Sequence, residues 1–82
     1  MDPLRQFRNT AAWRRVRAAY RASCYANGWP TCWLCRQPIA PATFSVDHAL
    51  PVARGGAPLD PANFRPAHIS CNSARGARGG GA

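Results

Sequence analysis

The 82-residue chain has no lysine and no glutamate. Its eleven basic residues are all arginine, and its three acids, Asp2, Asp47 and Asp60, are all aspartate. A bias toward Arg, Ala, Gly and Pro, as GC-rich coding produces, explains arginine in place of lysine. It does not explain the scarcity of acids, which leaves a formal net charge of +8. A surplus of that size draws polyanions and releases their counterions, so nucleic acid is the leading partner class. No apolar run approaches the length of a membrane span, and Met1-Asp2-Pro3-Leu4-Arg5 lacks a signal-peptide core. The expected location is therefore the cytoplasm, where thiols stay reduced and closely spaced cysteines read as metal ligands rather than disulfides. There is no internal repeat. A chain this short builds a small core that usually needs a staple.

What is present divides into a basic leader over residues 1–8, one domain over 9–76 and a disordered glycine-rich tail over 77–82. Asn9 or Thr10 caps a predicted helix running to about Asn27. Trp13, Val16, Tyr20 and Cys24 form its apolar stripe, with Arg14, Arg15, Arg17 and Arg21 on the remaining faces. Gly28 and Pro30 stop it. Cys24 reads as packing. Residues 29–43, rich in proline and cysteine, form a compact turn region. Thr43 to Val46 has strand character, and Ala49 to Val52 is expected to return as a second short strand. Asp60-Pro61 reads as an N-cap followed by proline at the first helical position, in a single turn that presents Asn63. Ser70 is expected to cap a last short helix starting at Cys71.

Cys32 and Cys35 are spaced C-x-x-C, and His68 and Cys71 are spaced H-x-x-C. Each gap lets both side chains reach one tetrahedral ion, and the long segment between the pairs closes a loop around it. A redox C-x-x-C is disfavoured because no βαβ pattern surrounds it. Cys32, Cys35, His68 and Cys71 are thus the expected ligands of a structural Zn²⁺, with no open position for chemistry. His48 is then the histidine left over, beside Asp47. A lone histidine is more often structural than catalytic. Two features shift that balance: a turn that brings Asn63 toward His48, and Asn72, which directly follows the zinc ligand Cys71. Neighbours on a helix diverge by roughly 100°, so Cys71 faces the zinc while Asn72 faces a second site.

The segments Cys32-Trp33-Leu34-Cys35, Val46-Asp47-His48-Ala49-Leu50-Pro51, Gly55-Gly56, Asn63-Phe64-Arg65-Pro66 and His68-Ile69-Ser70-Cys71-Asn72-Ser73-Ala74-Arg75-Gly76 come in the order seen in HNH endonucleases. The chain resembles most closely the small members encoded by bacteriophages and prophages. The resemblance implies a small α+β fold: a ββα-metal finger with a structural Cys₃His zinc site and an N-terminal helix. It implies His48 as general base, Asn63 orienting the imidazole, and Asp47 and Asn72 holding a catalytic divalent cation, Mg²⁺ or an ion such as Mn²⁺. The chain departs from the commonest pattern at His68, where a cysteine is usual, and at Asn72, where many members have histidine. The implied activity is a metal-dependent DNA endonuclease or nickase leaving 5′-phosphate and 3′-hydroxyl ends. The implied setting is phage DNA packaging in the host cytoplasm, with terminase as a partner. The alternative is a non-catalytic, zinc-stabilised nucleic-acid-binding module. Either reading uses the arginines for phosphate contact, with Arg14, Arg15, Arg17, Arg21, Arg75 and Arg78 as candidates.

Overall fold

The computed structural model describes Phe7 and residues 10–77. The expected basic leader, apart from Phe7, and the expected tail from residue 78 on lie outside the described residues. Helix α1 spans Ala11–Cys24. Thr10 caps it from an extended backbone, its hydroxyl accepting from the Trp13 N–H at 3.1 Å. The expected stripe is the packed face: Trp13 is buried, and Val16, Tyr20 and Cys24 pack half-buried against the core. Burial pushes the Cys24 thiol up, consistent with a packing role. Arg21 sits in the last turn, where a cation suits the helix dipole.

A knuckle follows, closed by an isolated bridge between Thr31 and Pro38. Inside it the Cys32 N–H donates to the Gln37 carbonyl and the Arg36 N–H to the Cys32 carbonyl. Arg36 takes a left-handed φ of 68° to make this turn. Strand β1 spans Phe44–His48 and pairs antiparallel with β2, Phe64–His68, in the register Phe44 to His68 through His48 to Phe64. Helix α2, Ile69–Ala77, leaves β2 directly and packs on both strands. Phe7, Trp13, Ile39, Phe44, Val46, Phe64 and Ala67 form the core with the Cys32 side chain. The two helices, the antiparallel hairpin and the cysteine–histidine cluster make this the small α+β fold expected from the sequence.

Two expectations need correction. Residues 49–52 do not form a strand. Pro51 begins a turn in which its carbonyl accepts from Arg54 and Gly56, and Val52–Arg54 is a short 3-10 segment. The partner of β1 is Phe64–His68 instead, despite Pro66. Proline is tolerated in an edge strand because it removes only one donor, and its carbonyl accepts from the Trp33 N–H at 3.0 Å. The last helix also starts at Ile69 rather than Cys71, so Ser70 lies within its first turn. The turn at Asp60 is as expected: its carboxylate accepts from the Ala62 N–H, and Pro61–Asn63 is a single 3-10 turn. Among the described residues, no helix is long and apolar enough to cross a membrane.

Candidate metal centre and candidate active site

The ligand atoms of Cys32, Cys35, His68 and Cys71 all lie within 4.8 Å of one another. A regular tetrahedron with zinc–sulfur bonds of about 2.3 Å puts its donors roughly 3.8 Å apart, so the set is the right size. His68 Nδ1 lies 3.3 Å from Cys35 Sγ and 3.8 Å from Cys71 Sγ. Its Nε2 lies 3.0 Å from the Pro38 carbonyl, which only accepts. Nε2 therefore carries the proton and Nδ1 offers its lone pair to the cluster, the usual outer support of a metal-bound histidine. Burial raises the Cys32 thiol, but backbone donors at Cys35, His68 and Leu34 outweigh it and hold the group at about 6. Burial and then the neighbouring Cys35 and Cys32 push Cys71 to about 11. A cation would relieve that mutual repulsion, and the donor chemistry fits zinc.

At the end of β1, Asp47 and His48 point to opposite sides of the hairpin, as consecutive strand residues do. Asp47 is fully buried. Arg75 Nη1 donates to both carboxylate oxygens at 2.8 Å, Trp33 Nε1 donates to Oδ2 at 3.1 Å, and the His48 N–H donates to Oδ1 at 2.9 Å. The His48 ring, 1% exposed, sits among aromatics. Trp13 stacks on it at 5.7 Å, and Phe7 and Phe64 meet it edge-on at 5.6 and 5.3 Å. Its Nε2 lies 3.1 Å from the Pro58 carbonyl. That contact assigns the proton to Nε2, which makes Nδ1 the basic nitrogen of the neutral ring.

Asn63 was expected to set its amide against the imidazole. It instead clamps the hairpin loop: Oδ1 accepts from the Leu50 N–H, and Nδ2 donates to the Leu50 and Ala57 carbonyls. Its link to His48 runs through the backbone, where the Ala49 N–H donates to the Asn63 carbonyl at 2.8 Å. Asn72 turns away from Cys71, as adjacency on a helix requires, and donates to Ser45 Oγ and the Val46 carbonyl. It lines a cleft of about 360 Å³ with Trp13 and Arg17 of α1, Ser45 and Val46 of β1, and Ser73 and Gly76 of α2. Asp47 does not line that cleft. The expected pair of ion ligands is thus not gathered into one open site, and as arranged it does not fit a divalent cation.

The arginines divide in the same way. Arg14 and Arg15 are exposed, and Arg17 borders the cleft. Arg21 donates to the Pro41 carbonyl and lies over the Tyr25 ring, so it is bonded to its own chain at the surface. Arg75 is engaged as well, and Arg78 lies outside the described residues. Sequence reasoning missed Trp33 as a site residue and did not anticipate the bond between Arg75 and Asp47. The available signal was the tryptophan inside the C-x-x-C turn, a large residue where small polar ones serve.

A family model described as HNH endonuclease matches residues 32–78, more than half of the chain. The match takes in the four-residue cluster, both strands and α2. No curated protein and no solved structure matches the chain.

Proposed function

Because the chain belongs to the HNH endonuclease family, we propose that it hydrolyses phosphodiester bonds in DNA with His48 as the general base. The observation that carries this reading is the contact between His48 Nε2 and the Pro58 carbonyl, which leaves Nδ1 as the basic nitrogen. Nδ1 takes a proton from water as the water oxygen attacks phosphorus, and the bond to the 3′ oxygen breaks, that oxygen taking a proton from solvent water. The products are 5′-phosphate and 3′-hydroxyl ends. Asn63 holds the loop beside His48 and so positions it through the backbone. Arg14, Arg15 and Arg17 present positive charge to the phosphates. Zinc on Cys32, Cys35, His68 and Cys71 is structural, because four protein ligands leave no open position. A divalent ion such as Mg²⁺ or Mn²⁺ would supply charge stabilisation at the phosphate, held by groups other than the Asp47–Asn72 pair. The proposed setting is phage DNA packaging beside terminase, which co-purification with terminase subunits tests.

A second reading, the non-catalytic zinc module, is favoured by one observation: the His48 ring is almost wholly out of contact with solvent. Plasmid cleavage with a panel of divalent ions separates the two. His48→Ala is expected to keep its zinc and its DNA affinity within a few-fold while cleavage falls roughly 10²–10⁴-fold. Near wild-type cutting by folded His48→Ala would sink the mechanism. DNA binding without cleavage by either protein, under every ion, would establish the second reading.

A further inference from the structure

The surroundings of Asp47 disagree with an ion-ligand role. An ionised carboxylate offers about four lone-pair sites. Here four donor contacts reach it: two from Arg75 Nη1, whose two hydrogens are shared with the His48 carbonyl, one from Trp33 and one from the His48 N–H. The carboxylate is completely buried, so a cation would have to displace the guanidinium that covers it, which itself is only 20% exposed. Arg75 is equally committed. Besides both Asp47 oxygens, Nη1 donates to the His48 carbonyl at 3.1 Å and Nη2 to the Ala49 carbonyl at 3.3 Å. Its guanidinium lies over the Trp33 ring, 5.1 Å from the centroid. Its bonds thus reach three consecutive residues of the strand end, and the middle one is His48.

We infer that Arg75 is a positioning residue for His48, anchored by Asp47, and that Asp47 is not a ligand of a divalent ion. The inference rests on the proposed role of His48 but is separable from it. Arg75 fixes the backbone that aims the His48 ring, while Trp13 and Phe64 fix the ring itself. The brace joins α2 to Trp33 of the knuckle, and both elements carry ligands of the zinc cluster. A planar fork is needed for several acceptors at once, which a lysine ammonium cannot reproduce. The same commitment removes Arg75 from the candidates for phosphate contact.

The test uses the zinc-loaded full chain and the variants Asp47→Asn, Arg75→Gln, Arg75→Lys and the double Asp47→Asn/Arg75→Gln. Mn²⁺ binding is followed by electron paramagnetic resonance. DNA affinity is measured against salt without added Mg²⁺ or Mn²⁺. The His48 ring resonances and the cleavage kinetics complete the set. Asp47→Asn is expected to leave Mn²⁺ affinity within about twofold of wild type, and absence of Mn²⁺ binding by wild type agrees equally. Arg75→Gln is expected to leave the salt slope unchanged and to shift the His48 ring resonances. In both single variants kcat falls about 10- to 100-fold with KM within twofold, and the double is no worse than the worse single. Arg75→Lys falls between, and serves if Arg75→Gln does not fold. Tenfold weaker Mn²⁺ binding in Asp47→Asn overturns the anchor role. A salt slope shallower by about 0.9 in Arg75→Gln, or unmoved His48 resonances, overturns the positioning role. If wild type cuts no DNA, the proposed function fails, and the Mn²⁺, salt and resonance readings still decide the inference.

Discussion

Gly56 shows how little slack the loop beside His48 contains. A Cβ built there would overlap the Leu50 carbonyl and sit 3.0 Å from Asn63 Nδ2. Those two groups form one of the three bonds by which Asn63 clamps the loop. Gly56→Ala must displace that clamp, and we expect a loss of roughly 1–3 kcal/mol, readable by urea denaturation. Cleavage should fall with it, because the Ala49–Asn63 backbone bond lies in the same clamp. A variant as stable as wild type would show that the loop can open without cost. At this scale the sequence is legible where spacing carries chemistry. Cys32, Cys35, His68 and Cys71 were found because two-residue gaps suit a tetrahedral ion, and they do come together. Arg75 was not legible in the same way. In a chain with eleven arginines, nothing in the sequence marks out the one whose acceptors are Asp47 and its neighbours.

Helix α1 was the most readable element because local rules decide it. Thr10 caps it and a single apolar stripe faces the core. Thr10→Ala removes the cap and is expected to cost about 1 kcal/mol. Trp13→Ala is expected to cost roughly 3–5 kcal/mol, because the ring packs on Phe7, His48 and Phe64 together. The same change uncovers His48, and faster modification of the imidazole by diethyl pyrocarbonate should accompany the lost stability. Equal modification rates would mean that Trp13 does not cover the ring. Strand β2 was the least readable element. Phe-Arg-Pro-Ala-His has no clean alternation and carries a proline. Its strand character comes from pairing with β1 and from the knuckle donor at Trp33, which are both distant in sequence. Residues 49–52 failed for the converse reason: their apolar content looked like a strand, but Pro51 organises a turn.

For the whole molecule, the cysteine–histidine cluster joins the knuckle to the start of α2 across the hairpin. Chelation is therefore expected to unfold the domain rather than loosen one loop, since structural zinc contributes on the order of 10 kcal/mol of apparent binding energy. Circular dichroism before and after chelator addition checks this; retained helical signal in metal-free protein counts against it. Zinc affinity should also weaken as pH falls, because protons compete for the cysteine thiolates and for His68 Nδ1. DNA binding belongs to this scale too. With Arg21 and Arg75 bonded within the chain, Arg14, Arg15 and Arg17 are the proposed phosphate contacts, and a log–log salt slope of roughly −3 is expected from them. A flat dependence would contradict electrostatic binding.

The indole of Trp33 lies between a fixed negative charge at its Nε1 edge and a fixed positive charge over its face. Its excited-state dipole therefore sits in a permanent internal field, whereas Trp29, 60% exposed, relaxes in water. The two should emit at different wavelengths, and the light from Trp33 should change when the carboxylate or the guanidinium leaves. Placed inside the C-x-x-C turn, the same ring also senses loss of the metal. The chain thus carries its own fluorophore between the cysteine–histidine cluster and the end of β1, and comparison with Trp33→Phe isolates its signal.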